Sequence, residues 1–147
     1  MTRRIAHAAQ IGAIVLALAL VPVALAAKGG GGNKPSGGGG GGGSLSLVMV
    51  NDQNGNGSPN WGDTITFSFS TAATSYPYVS LSCYQNGVLV ASANAGFFAG
   101  YPWPWTQNMT LKSTLWSGGA ADCTATLYYN GTNKTVTLAT LPFHVDA

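Results

Sequence analysis

The sequence predicts an all-β protein: one antiparallel β-sandwich of about seven strands, set behind an export signal and a glycine-rich tether. Three observations carry that reading. Beyond residue 44 the apolar residues alternate with a period of about 2 and show no helical period. Asn-Gly pairs punctuate the alternating runs. The chain opens on arginines, a long apolar stretch, small residues and then a segment made almost wholly of glycine.

The N-terminus comes first in the argument because it fixes the compartment. Arg3 and Arg4 precede an apolar run from Ile11 to Ala27, broken only by Gly12 and Pro22. Ala24 and Ala26 place small residues at alternate positions, so residues 1–26 read as a signal peptide cut after Ala26. The apolar run is short for a membrane span, which needs about 20 residues. The mature chain is therefore expected to be secreted or held at the cell envelope, with no membrane insertion unless the signal stays uncut. Residues 27–44 are glycine with a few polar residues and read as a flexible linker.

Removing the signal removes Arg3 and Arg4. Of six basic residues, four lysines remain against four aspartates, so the mature chain is neutral. A neutral domain has no electrostatic footprint for nucleic acid. The same scarcity limits chemistry. His144 is the mature chain's one histidine, and no Gly-x-Ser-x-Gly elbow accompanies it. A glycosidase-like carboxylate pair could draw only on Asp52, Asp63, Asp122 and Asp146. The first two are better explained by a loop, and Asp146 is next to the last residue. The expectation is a protein that is not an enzyme.

Residues 45–147 form the domain, enough for one core. In Thr64–Thr71, Ile65, Phe67 and Phe69 share a face. Val79, Leu81 and Cys83 share another, as do Cys123, Ala125, Leu127 and Tyr129. The last segment changes phase between Val136-Leu138 and Leu141-Phe143-Val145, which predicts a bulge near Ala139-Thr140 and puts Pro142 on an edge. Asn86-Gly87 and Asn130-Gly131 predict two hairpins with type I′ turns. With Leu45–Val50 and Met109–Thr114 the count reaches about seven, the pattern of an immunoglobulin-like sandwich, with another small sandwich or an open barrel as the alternative.

Export into an oxidising setting makes Cys83 and Cys123 a disulfide, since the chain holds two cysteines. Lettered A to G, the strands carrying them are C and F, neighbours in one sheet.

Residues 52–63 fit the spacing of a twelve-residue calcium loop. Oxygens of Asp52, Asn54 and Asn56 would converge on one point. Gly57 makes the turn, while Ser58, Asn60 and Asp63 complete the shell. Two formal charges imply low affinity for calcium. The competing account is an Asn/Gly turn between strands, capped by Asp63.

The run Asp52-Gln53-Asn54-Gly55-Asn56-Gly57, followed by Gly62-Asp63-Thr64-Ile65-Thr66-Phe67, resembles the opening of bacterial extracellular immunoglobulin-like domains. The stretch Ala121-Asp122-Cys123-Thr124-Ala125-Thr126-Leu127-Tyr128-Tyr129, with Phe143-His144-Val145, resembles the closing strands of secreted actinobacterial domains of that kind. The resemblance implies a sandwich, an extracellular setting, no catalytic residues and a role as a surface or interaction module.

The segment Phe97–Trp105 holds Phe97, Phe98, Tyr101, Trp103 and Trp105 among stiffening prolines. Buried, these rings would cover one end of the sandwich. Exposed, Tyr101, Trp103 and Trp105 would be a platform for a glycan or an anchor for an extracellular protein. The sequence thus supports a secreted non-catalytic interaction module, with carbohydrate binding and a structural envelope or matrix role as alternatives.

Overall fold

The computed structural model describes residues 36–37, 42–101 and 107–147. The residues read as a signal peptide, most of those read as a linker, and Trp103 and Trp105 lie outside the described residues. Strand segments run over Ser36–Gly37 (β1), Gly43–Asn51 (β2), Thr64–Thr71 (β3), Tyr78–Gln85 (β4), Val88–Gly96 (β5), Met109–Thr110 (β6), Ala121–Asn130 (β7) and Thr135–Val145 (β8). They form two antiparallel sheets, one ordered β1-β2-β3-β6 and the other β5-β4-β7-β8. No helix occurs among the described residues.

The period-two pattern sets the layers. Leu45, Leu47, Ile65 and Phe67 of the first sheet are buried, as are Val79, Leu81, Ala125, Leu127 and Leu141 of the second. Their intervening neighbours are Ser and Thr, which face outward. Each sheet thus has one apolar face, and the two faces meet in a single core.

β1 and the start of β2 both fall inside the segment read as linker, and β2 pairs with β3 from Gly43, because backbone pairing with Thr71 needs no side chain. A Cβ on Gly43 would lie 3.1 Å from both the Ser70 carbonyl and the Leu127 side chain. Glycine is what lets the strand approach there.

The β4–β5 hairpin turns at Asn86-Gly87 with φ of 49° and 81°, the positive pair a type I′ turn requires. The β7–β8 hairpin forms, but not with the two-residue turn expected at Asn130-Gly131. Asn130 stays in the ladder opposite Thr135. The longer loop between them is closed by the Gly131 N–H donating to the Lys134 carbonyl at 2.9 Å. The phase change in β8 is absorbed where the register passes from Leu127↔Ala139 to Tyr128↔Thr137. Leu138 is the extra residue, so the bulge falls just before the expected place, and Leu138 and Ala139 both point into the core. Pro142 sits on β8, an edge strand, opposite Thr124.

The run expected over Met109–Thr114 shortens to Met109–Thr110. Ser113 ends it: its hydroxyl accepts the N–H groups of Leu115 and Trp116 and donates to the Val90 carbonyl. The resulting turn drives Trp116 into the core at 0 % exposure, where its indole N–H donates to the Gly119 carbonyl.

Cys83 and Cys123 are directly opposite on β4 and β7, with Cα atoms 4.0 Å apart, and are bonded. The bridge closes a loop spanning 40 residues. Replacing both cysteines by alanine should lower unfolding free energy by about 4 kcal/mol on the chain-entropy estimate. A urea melt of the double variant against wild type measures it, with the m-value rising as the unfolded chain, freed of its cross-link, exposes more surface.

Candidate functional site

Two regions gather chemistry: the β2–β3 connection and the outer face of the second sheet. The connection is built on its carboxylates. Asp52 accepts the Gly55 N–H on Oδ1 at 2.8 Å and the Gly57 N–H on Oδ2 at 2.7 Å. Asn54 accepts the Asn56 N–H at 3.0 Å, and Asn56 accepts the Ser58 N–H at 2.7 Å. The Asn54 and Asn56 bonds are Asx turns, made with the backbone two residues on, while Asp52 reaches three and five residues ahead.

Asp63 does the closing. It is fully buried, accepting the Gln53 N–H on Oδ1 at 3.0 Å and the Asn60 N–H on Oδ2 at 2.9 Å. Its own carbonyl takes the Leu111 N–H at 2.8 Å. The far side is tied to the chain end, with Trp61 N–H donating to the Asp146 carbonyl and Asp146 N–H to the Pro59 carbonyl, both at 2.9 Å.

The six candidate calcium residues therefore divide. Asp52, Asn54, Asn56 and Ser58 form a solvent-facing half, while Asn60 and Asp63 are buried. Each bonded carboxylate oxygen keeps a second lone pair. Asn60 Oδ1 is buried without a hydrogen-bond partner among the described residues. Those features suit a cation. Against that, no group of three or more His, Cys, Asp or Glu side chains gathers as a metal site among the described residues.

The outer face of the second sheet holds an aromatic cluster that the sequence reading did not assemble. Tyr78 on β4 and Tyr128 on β7 are register partners, their rings stacked with centroids 5.5 Å apart. The chain after β5 folds back over this pair. Phe98 meets Tyr78 edge-on at 5.4 Å, and Tyr101 does so at 5.8 Å. Tyr76 joins Phe98 at 5.2 Å and is 64 % exposed. Asn94 on β5 donates from Nδ2 to the Tyr128 hydroxyl at 2.6 Å. Gly96 makes room: a Cβ there would strike the Tyr101 ring and approach Phe98 to 2.7 Å.

The Phe97–Trp105 segment is thus split between its two expected roles. Phe97 turns toward the core and packs edge-on against Phe69 at 5.9 Å. Phe98 and Tyr101 turn outward. Tyr76, Tyr78, Asn94 and Tyr128 were missed because the signal lay in phase, with tyrosines at outward positions of Ser/Thr-rich strands. Phase is visible in sequence; which outward residues become neighbours is not.

At the opposite end of the same face, His144 Nδ1 lies 2.8 Å from Asp122, and Nε2 lies 3.8 Å from Asp146. Both ring nitrogens face carboxylates, with all three side chains largely exposed. A hydrolytic triad needs a nucleophile on the second nitrogen.

Asp63→Ala should cost about 2–4 kcal/mol, because it strands two N–H groups in a sealed site. Asp52→Ala, where water replaces the carboxylate, should cost about 1 kcal/mol. Denaturant melts of the two variants check the order; an equal loss would overturn the division into a buried and a solvent-facing half. No family model, curated protein or solved structure matches this chain.

Proposed function

We propose that the chain is exported and acts outside the cell as a non-catalytic, immunoglobulin-like interaction module. The observation that carries this is the aromatic cluster of Tyr76, Tyr78, Phe98, Tyr101 and Tyr128 on the outer sheet face, the side that ordinarily carries only polar residues. Aromatic rings with a polar tip are the groups that dominate binding energy at interfaces. The sheet order supports the immunoglobulin-like reading. Lettered from β2, strands A, B and E oppose C, F and G, with β5 as the added strand beside C. The disulfide joins C to F within one sheet, where the antibody bridge crosses between sheets. The absence of a catalytic role is supported by the chemistry of the charged groups. Asp63 is committed to backbone N–H groups, and His144 is flanked by two carboxylates.

The β2–β3 connection is the candidate calcium site of this module. The residues that would hold the ion are Asp52, Asn54, Asn56 and Ser58, with Asn60 and Asp63 behind them. Calcium there would cross-link oxygens and stiffen a loop already tied to the C-terminus.

Expressed in a secreting host, the chain is expected outside the cell with a new N-terminus at Ala27, read by mass spectrometry. Its retention on the producing cell's surface should fall with Tyr76→Ala. Full export with no retention, and no change in the variant, would overturn the interaction reading. Separately, thermal melts should show Tm rising between chelator and millimolar calcium, the range of weak extracellular sites, and Asp52→Ala should abolish the rise. An unmoved Tm would leave the loop as a hydrogen-bonded turn.

A further inference from the structure

The outer face of β5-β4-β7-β8 is more than its aromatic end. Moving away from Tyr78 and Tyr128, the next row sets Asn94, Ser80, Thr126 and Thr140 side by side. The row after that sets Ser92, Ser82, Thr124 and Pro142. Charge returns only at the far end, with Asp122 and His144 beside Tyr84. From Asp122 to Tyr128 the strip is about 20 Å long, at about 3.3 Å per residue.

We propose that this strip binds a neutral, hydroxyl-rich polysaccharide chain, with the tyrosine cluster gripping one end. The inference rests on the reading of this face as the interaction surface and names what it binds. Charge decides the class of ligand. Between the aromatic row and Asp122 no strand of the sheet presents a charged side chain outward. A charged ligand laid on the strip would lose hydration and find no counter-charge. A neutral sugar chain loses far less. Its ring hydroxyls exchange water for Ser, Thr, Asn and tyrosine hydroxyl partners, each able to donate and accept.

Shape points the same way. A protein partner draws its energy from anchors seated in desolvated pockets. This strip is a flat sheet face with polar side chains along most of its length. Sugar rings carry both an apolar C–H face, suited to the rim of the tyrosine cluster, and polar edges, suited to the hydroxyl rows. The phenol of Tyr128 is already held by Asn94, so the cluster is organised before a ligand arrives.

The test is affinity electrophoresis of the secreted chain through gels containing hydroxyethylcellulose, glucomannan or dextran, with polygalacturonate as the charged comparison. At least one neutral polymer should retard the protein, and added salt should leave the retardation unchanged. Tyr76→Ala, at an exposed ring, should weaken binding by up to about tenfold. Gly96→Ala, which displaces Tyr101 without removing a polar group, should weaken it also. Val50→Ser, at an exposed residue on β2 of the other sheet, should bind as wild type. Retardation by polygalacturonate alone, or by none of the polymers, would overturn the proposal. If no polymer retarded the protein yet cell-surface retention still fell with Tyr76→Ala, the interaction reading would stand and the ligand would be protein. Neutral binding lost in Val50→Ser but kept in Tyr76→Ala would overturn the placement of the site.

Discussion

The register between β4 and β7 is the constraint on which both faces of the second sheet depend. Cys83 opposite Cys123 points inward, and five residues along β4 Tyr78 opposite Tyr128 points outward. Side chains in a strand alternate sides, so a one-residue slip would expose the core row and bury the tyrosines. The disulfide holds that register covalently. The core, the hydroxyl rows and the aromatic cluster are therefore consequences of one alignment, and the neighbouring strands β5 and β8 extend it outward.

A second economy lies in how the chain uses charge. Two of the chain's four aspartates are spent on the β2–β3 connection. Asp63, sealed from solvent, satisfies N–H groups that a long polar loop would otherwise leave bare. The loop's backbone also bonds Leu111, just beyond β6, and Asp146 at the chain end, so the segment closed by the Asp63 side chain is tied to two others. The remaining pair, Asp122 and Asp146, flank His144 at one end of the second sheet. Between that end and the tyrosines, the outer face of the second sheet carries no charged side chain.

Much of the sheet structure was legible. Thr64–Thr71 is a strand over the residues its alternation marked, Asn86-Gly87 makes the turn its composition required, and the paired cysteines lie on neighbouring strands as their phases implied. The rest failed for identifiable reasons. The strand at Met109 stopped early because a single hydroxyl, Ser113, captured two N–H groups and a carbonyl, a local competition that hydrophobic pattern does not register. Trp116 is fully buried while its neighbour Leu115 is 76 % exposed, with no periodic run to distinguish them. Asn130-Gly131 carries the same two letters as Asn86-Gly87, yet the position of the last ladder pair decided the turn.

The sequence by itself determined the class, the inward and outward phase of β3, β4 and β7, the disulfide partners and the loop rich in Asp and Asn. These depend on contacts near in sequence or on residue types too few to pair otherwise. Only the tertiary structure decided which outward residues became neighbours. Tyr76, Tyr78, Phe98, Tyr101 and Tyr128 come from three separate stretches of chain, joined by strand register and by a fold-back over Gly96. It also decided that Asp63 is fully buried while Asp52 stays partly exposed, although both belong to one motif. Burial depends on what packs above a residue, and that covering comes from β6 and the chain end, far away in the sequence.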